Sequence, residues 1–322
     1  MREVNEMATT ADPQITMELR RRYAALIDAM LREDRPDLVR ATAELAVGQG
    51  VWADPLQRPV DYLPDGSGRP VYDPDDFWFV AHLEASYPAI SAEVESVMAD
   101  GRTGFAPVDE PLLGSGRWEQ VVLYEAGRRQ EQACALFPAT AAALAQIPEA
   151  TTFGPGVATL SWLEPGSHVL PHCGRTNAQL RVHLGLRTPP GPVIRVGNER
   201  LTWQEGRCIV FDDSFEHEVW HTGTEPRLVL LLDVMYPGLS PAGRARTLAR
   251  RATTAEQIAA FLAEHDLDRV ETDERGVVMR PAPGTEALVR RYLSETGASA
   301  VERRGRTLSF AYPGSAAPGQ EP

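Results

Sequence analysis

The chain has 322 residues, 43% apolar and 24% charged, enough for one large domain with attachments or for two at roughly 100–200 residues per domain. Its 32 basic side chains against 45 acidic ones leave a formal charge of −13, which argues against a broad basic face for nucleic acid or an anionic membrane. Every basic side chain is an arginine, so a Schiff-base lysine, a pyridoxal-phosphate anchor and a P-loop lysine are all excluded.

Residues 1–13 are polar and acidic with no apolar leader segment, and the longest aliphatic run, Leu228 to Leu232, is too short to cross a bilayer. The expectation is a cytoplasmic protein with no membrane partner. Met17, Leu19, Tyr23, Leu26, Ile27, Met30 and Leu31, then Leu38, Ala41, Leu45 and Ala46, recur at helical spacing. Asp34-Arg35-Pro36 interrupts them, which predicts a hairpin of two helices over 14–48. Residues 51–76 are rich in Pro, Asp and Gly and are expected to wrap the surface. A third helix is predicted over 76–98, opening at an Asp-Pro-Asp-Asp cluster and interrupted at Tyr87-Pro88.

From about 116 the character changes. Trp118 to Tyr124 alternates and is β-rich, and a helix follows over 137–147, opened by Pro138. Short β-type runs then come at 157–163, 167–170, 179–186, 192–196, 207–211, 217–221 and 227–235, separated by Gly, Pro and Asn. Such tight spacing with no helices between predicts an antiparallel barrel or sandwich. Beyond 241 a small α/β appendage is expected, with helices at 254–265 and 284–296 and strands at 276–280 and 306–312. The organisation is thus read as a helical hairpin with a wrapping segment (1–69), a β domain (70–240), the appendage (241–312) and a disordered tail (313–322).

Chemistry concentrates in the β region. Of seven histidines, five fall between positions 168 and 221: His168, His172, His183, His217 and His221. His217-Glu218-Val219-Trp220-His221 spells HExxH, the zinc-hydrolase signature, which works only on a helix, where both imidazoles share a face. Here it lies between a polar loop and a turn, with no room for a long helix. His168 and His172 have the same spacing, but Pro171 between them is incompatible with a helix interior. Cys134, Cys173 and Cys208 are too few for a four-cysteine cluster and do not read as a secreted disulfide framework. On strands, side chains two apart share a face, so Arg181 projects with His183, and Arg227 with Val229 and Leu231. An interior lined by His and Arg among aliphatics is costly unless those groups hold something; a ferrous ion with an anionic co-substrate fits both residue types.

The stretches SWLEPGSHVLPHCGRTNAQLRVHLGL, from Ser161, and FDDSFEHEVW and RLVLLLD, ending at Asp233, resemble the aspartyl/asparaginyl β-hydroxylase family over about 70–240. The resemblance implies a double-stranded β-helix (jelly-roll, cupin-like) core with flanking helices, and an Fe(II)/2-oxoglutarate-dependent dioxygenase. It implies His172 and His217 as metal ligands and catalytic residues, with Gly174 where many iron oxygenases carry a carboxylate. Arg227, with Ser161 beside it, is implied to grip the far carboxylate of 2-oxoglutarate, and Trp118, Arg181 and His183 to line the co-substrate pocket. Asp213 is expected to orient a metal-bound water, Asp212 to stabilise its loop, and Cys173 to point away from His172; His168 and His221 are expected not to be ligands.

The implied cofactors are Fe(II), 2-oxoglutarate and O₂. The implied substrate is an amino acid, free or carrier-bound, or an Asp/Asn-type residue in a peptide. Animal members place an arginine where this chain has Gln179, which opens the substrate question towards Asn or a free amino acid. A zinc metallohydrolase using His217-Glu218-x-x-His221 and a non-catalytic binding protein are the competing readings. The sequence sets no oligomeric state.

Overall fold

The computed structural model describes residues 13–99, 101, 104–108, 110–151, 153–244, 247, 269–272, 276–280, 299–304 and 307–311. The chain divides into two compact units, Met1–Thr247 and Leu248–Pro322.

The first unit opens with helices α1 (Pro13–Arg32) and α2 (Pro36–Gly48), then strand β1 (Val71–Tyr72), a 3₁₀ turn over Pro74–Asp76 and helix α3 (Trp78–Ala99). Strands β2 (Ala106–Pro107), β3 (Leu113–Ser115), β4 (Trp118–Glu125) and β5 (Arg128–Arg129) follow. Three short helices come next, α4 (Glu131–Leu136), α5 (Pro138–Ala145) and α6 (Pro148–Thr151). The main β run is β6 (Val157–Leu163), β7 (His168–His172), β8 (Gln179–Arg187), β9 (Pro192–Val196), β10 (Glu199–Leu201), β11 (Cys208–Phe211), β12 (His217–His221) and β13 (Arg227–Met235).

Two antiparallel sheets result. The larger has the order β1-β11-β8-β13-β6-β4-β2 with β5 on β4, and the smaller β10-β9-β12-β7-β3. Successive strands alternate between them: β6, β8, β11 and β13 lie in the large sheet, and β7, β9 and β12 in the small one. Apart from the β9–β10 hairpin, the chain crosses from one sheet to the other at each step of this run, which is the winding of a double-stranded β-helix. Side chains from distant strands meet in one interior.

Strand alternation decides which face is which. On β13, Leu228, Leu230, Leu232 and Val234 pack with Leu83, Ile90 and Val94 of α3 and Leu144 of α5. Val229 and Leu231 turn the other way, towards Val169, Ile194 and Val219 of the small sheet. All nine residues of β13 are buried, and each large apolar side chain so buried is worth roughly 1.5–3 kcal/mol. A one-residue slip would exchange the two faces, so the register is strongly specified.

Two expectations are corrected. Helix α3 runs unbroken through Pro88. Its buried residues lie on both sides of that proline, Leu83 before it and Ile90 and Val94 after, so packing on the sheet outweighs the lost hydrogen bond. The 51–76 segment does not merely wrap the surface: Val51, Trp52, Gln57, Arg58 and Ser67 are buried. Its backbone is satisfied by side chains, with Leu63 N–H donating to Asn177 Oδ1 (2.7 Å) and Asn177 Nδ2 donating to Leu63 O (2.8 Å). Helices α1 and α2 share a core of Ile27, Val39, Ala43 and Ala46 with Val51 and Trp52, all inside the first unit.

In the second unit, β14 (Arg269–Thr272), β15 (Gly276–Arg280), β16 (Ser299–Arg304) and β17 (Thr307–Ala311) form an antiparallel sheet of order β14-β15-β17-β16. The expected strands at 276–280 and 306–312 are present, and β14 and β16 were not anticipated. The helices expected at 254–265 and 284–296, and the tail at 313–322, lie outside the described residues.

Candidate functional site

The interior between the two sheets holds a cavity at one end, lined by Trp118, Ser161, His172, Arg181, His183, His217 and Arg227 among Leu163, Val169, Ile194, Phe211, Val219 and Leu231. Every residue expected to bind metal or co-substrate is here, brought from β4, β6, β7, β8, β12 and β13.

His172 and His217 face each other directly across the β7–β12 ladder, with ring centroids 4.1 Å apart. Both lie on neighbouring strands of the small sheet. His172 Nδ1 is 2.7 Å from Leu170 O and His217 Nδ1 is 2.9 Å from Phe215 O. A carbonyl oxygen only accepts, so each Nδ1 carries the hydrogen and each Nε2 keeps a lone pair. Burial lowers the His172 pKa to about 4. Burial, with His172 and Arg181 nearby, takes His217 well below its ordinary value. Two neutral imidazoles thus offer two nitrogen donors at neutral pH. Among the described residues no third His, Cys, Asp or Glu completes a metal-holding group.

Gly174 shows why. A Cβ built there would stand 2.5 Å from the Asp213 carboxyl, so the space a side chain would need is already filled from the loop before β12. Asp213 is 1% exposed. It accepts from Gln179 Nε2 (3.2 Å to each oxygen) and pairs with Arg181 Nη2 at 3.1 Å. Burial raises its pKa, and Arg181 opposes that shift. Asp212, by contrast, ties down the 51–76 segment through Gln57 Nε2 (2.9 Å) and the Ser67 hydroxyl.

The two arginines of the cavity differ in kind. Arg181 is held by Asp233 (Nε–Oδ1 2.8 Å) as well as Asp213, and those carboxylates raise its pKa against the opposing effect of burial. Arg227 is 3% exposed, pairs with no carboxylate among the described residues, and has a pKa lowered to about 9 by burial. Its Nη2 donates to Ser161 Oγ (3.2 Å), which also accepts from Trp118 Nε1 (3.0 Å). With both acceptor positions used, the Ser161 hydroxyl hydrogen is available to an incoming anion.

His183 lies near the same end. Trp203 Nε1 donates to its Nδ1 at 3.1 Å, which leaves Nε2 as the donor, buried and without a partner. Burial, with Arg227 and Arg181 nearby, keeps this ring neutral. Sequence reasoning missed Trp203. It also missed Asp233, whose position in the aliphatic run of β13 was the available signal.

The HExxH segment is strand β12. Glu218 and Trp220 alternate with the cavity-lining His217 and Val219. Glu218 pairs instead with His168 (2.7 Å) and Arg195 (3.1 Å), and His221 Nδ1 accepts from Gly223 N–H (3.2 Å). Neither His168 nor His221 lines the cavity. The Cys173 thiol turns towards Leu56 O, away from His172, as expected.

Known proteins bear on this geometry. Residues 84–237 match the family described as aspartyl/asparaginyl β-hydroxylase. Human aspartyl/asparaginyl β-hydroxylase is 39% identical over 226 residues, covering 69% of this chain and 30% of that protein. The chain therefore spans less than a third of the length of that relative. The ornithine lipid ester-linked acyl 2-hydroxylase of Rhizobium tropici is 38% identical over 201 residues, covering 59% of this chain and 68% of the relative. Among solved structures, a Pseudomonas putida prolyl-4-hydroxylase superposes with a TM-score of 0.35 at 18% identity, covering 48% of this chain and 89% of that one. No described helix is long and apolar enough to cross a membrane. With residues 84–237 matching its family model and relatives 38–39% identical to it, this chain belongs to the aspartyl/asparaginyl β-hydroxylase family.

Proposed function

We propose that the chain is an Fe(II)- and 2-oxoglutarate-dependent dioxygenase that hydroxylates an unactivated C–H, at the β-carbon, of an amino acid or an Asp/Asn-type residue in a peptide. The observation that carries the reading is Arg227, a buried guanidinium with no carboxylate partner among the described residues, lining the cavity that also holds two imidazole lone pairs. Burying an unpaired charge costs several kcal/mol, a cost relieved when a dianion enters.

The residues present fit this group and not a metal held by protein alone. Two neutral nitrogens are too few for a closed zinc site, but they suit an ion that a chelating co-substrate also holds. When bound, iron, 2-oxoglutarate and O₂ supply the oxidising power, with succinate and CO₂ as co-products. His172 and His217 hold the ion through Nε2. Arg227, Ser161 and Trp118 seat the far carboxylate with the Nε2–H of His183 beside them, and Arg181, its charge already balanced by Asp213 and Asp233, lines the same pocket. Leu163, Val169, Ile194 and Leu231 exclude water. Asp213, occupying the space beside Gly174, orients a water in place of the missing ligand.

Gln179, which holds Asp213 and does not itself line the cavity, bears on the substrate. Its Nε2 is spent on Asp213 and its Oε1 is buried without a donor. An orphaned acceptor suits an N–H from the substrate and disfavours a carboxylate, so an Asn-type or amide-bearing group is favoured over Asp. The three cysteines are free thiols, which supports a reducing, cytoplasmic setting.

Anaerobic addition of Fe(II) and then 2-oxoglutarate tests the reading. A weak visible charge-transfer band is expected, absent in His172→Ala and weakened in Arg227→Ala. No band, or peptidase activity that survives His172→Ala, sinks it. Succinate release stimulated by a panel of Asn and Asp peptides, free amino acids and hydroxylatable acyl lipids then identifies the substrate class. Succinate release without a +16 mass change in any of them would instead favour a non-productive binding protein.

A further inference from the structure

Behind the cavity wall, one side chain touches both groups that await the co-substrate. We propose that Trp203 is a positioning residue for the anion end of the site, its indole N–H setting the His183 tautomer and its ring face orienting the Arg227 guanidinium. The inference rests on the 2-oxoglutarate reading for its functional consequence and on geometry for its substance.

Trp203 lies in the connection between β10 and β11, is 6% exposed, and does not itself line the cavity. Its Nε1 donates to His183 Nδ1 at 3.1 Å. The two rings are within 14° of parallel with centroids 6.0 Å apart, the edge-to-edge geometry an in-plane hydrogen bond requires. An imidazole that accepts at Nδ1 must, when neutral, carry its hydrogen at Nε2. That Nε2–H is buried and has no partner among the described residues, so the indole converts His183, which lines the cavity, into a fixed donor.

The same ring carries Arg227, whose guanidinium carbon sits 4.6 Å from the Trp203 centroid. Stacking on an aromatic face fixes the guanidinium plane and attracts its charge without consuming an N–H, and Arg227 Nε remains unpartnered. A carboxylate of Asp or Glu at position 203 would neutralise the site in advance. An indole steadies the cation and leaves it unpaired.

The fold admits this ring through a glycine. Gly185, two residues along β8 from His183, has its N–H bonded to Arg207 O (3.1 Å) and its carbonyl to Gly206 N–H (2.9 Å). A Cβ on Gly185 would collide with the carbonyl of Gln204. Only a residue without a side chain lets the 202–207 loop lie flat on β8 and deliver Trp203 to its two partners.

The test uses the full chain labelled with ¹⁵N-histidine, with long-range ¹⁵N–¹H spectra reporting tautomers and His183→Gln assigning the signal. In the unmodified chain His183 is expected as a single Nε2–H tautomer at neutral pH. Trp203→Phe keeps the aromatic face and removes the donor; it is expected to mix the two tautomers and to weaken 2-oxoglutarate binding to the Fe(II)-loaded chain, measured anaerobically by calorimetry, about three- to tenfold. Trp203→Leu removes the face as well and should lose about a further threefold.

An Nδ1–H or charged His183 in the unmodified chain overturns the inference whether or not any variant folds. So does a Trp203→Phe chain whose tautomer and affinity stay within twofold of the parent. Failure of the unmodified chain to bind 2-oxoglutarate overturns the functional reading and with it the co-substrate role of Trp203, while the spectrum still decides whether the indole sets the tautomer.

Discussion

The two ends of the cavity treat a buried arginine in opposite ways. Near the histidine pair, Arg181 is enclosed by Asp213 and Asp233, so its charge is balanced before anything binds. At the other end Arg227 has a hydroxyl and an aromatic face but no anion. A compensated buried charge is part of the scaffold, and an uncompensated one is a site waiting for a ligand. The fold carries both on the inner face of the same sheet, on neighbouring strands β8 and β13.

The sharpest way to break this comparison is to remove each cation in turn. Arg181→Met strands two buried carboxylates and should destabilise the chain by about 3–5 kcal/mol, read from urea unfolding. Arg227→Met removes a charge that no carboxylate among the described residues balances, so its unfolding free energy should hold or rise. Its 2-oxoglutarate affinity should fall by about 2–5 kcal/mol in the same calorimetric assay. If both variants lose stability alike, the distinction between scaffold and binding cation is wrong.

Acid should act mainly through the histidine end. In the unfolded chain His172 takes up a proton near its ordinary 6.5, but the folded chain resists until about 4. The unfolded state therefore binds more protons between those values, and stability falls as pH drops across that window. Unfolding curves at pH 7.5, 5.5 and 4.5 should show the decline, and His172→Leu should flatten it.

A smaller effect tests the vacant ligand position. Gly174→Ala pushes a methyl into the Asp213 carboxyl and should cost about 1–3 kcal/mol of stability, by the same unfolding measurement. Metal affinity should fall with it, because the two strands that align the imidazoles are displaced. The smallest expected effect is one of specificity. An Asn peptide should exceed its Asp counterpart in kcat/KM by about tenfold, the order expected when a buried acceptor is left unpaired by the poorer substrate. Gln179→Leu should erase that ratio.

Part of the site was legible from period-2 alternation, while His172, His217, Ser161 and Trp118 were reached only through the family resemblance. Arg181 and His183 were placed together on one face, as were Arg227 and Val229, and the cavity holds those polar residues as expected. The strands 157–163, 192–196, 217–221 and 227–235 coincide with β6, β9, β12 and β13, since Gly or Pro stands at or next to the ends of β6, β9 and β13, and a polar loop and a turn bound β12. The same boundaries rejected HExxH as a helix, and Glu218 indeed pairs away from the cavity. Short strands such as β1 and β10 were not legible, because two or three residues have no periodicity of their own and exist only by pairing with a neighbour.

Composition misjudged 51–76 for a related reason: turn residues announce a loop but not whether side chains such as Asn177 and Asp212 will bury it. Pro88 misled in the opposite direction, a local penalty overruled by packing on both sides.

What the sequence determined by itself is the inventory and its alternation: which residues carry lone pairs, which carry charge, and which of them share a strand face. Which strands become neighbours, and so which charges find partners, was decided only by tertiary pairing. Pairing within the small sheet set His172 opposite His217, pairing within the large one and the loop before β12 gave Arg181 its two carboxylates and Arg227 none among the described residues, and the 202–207 loop carried Trp203 across Gly185 onto both His183 and Arg227. Electrostatic balance and hydrogen-bond complementarity depend on distances between residues far apart in the chain, and no local pattern encodes those distances.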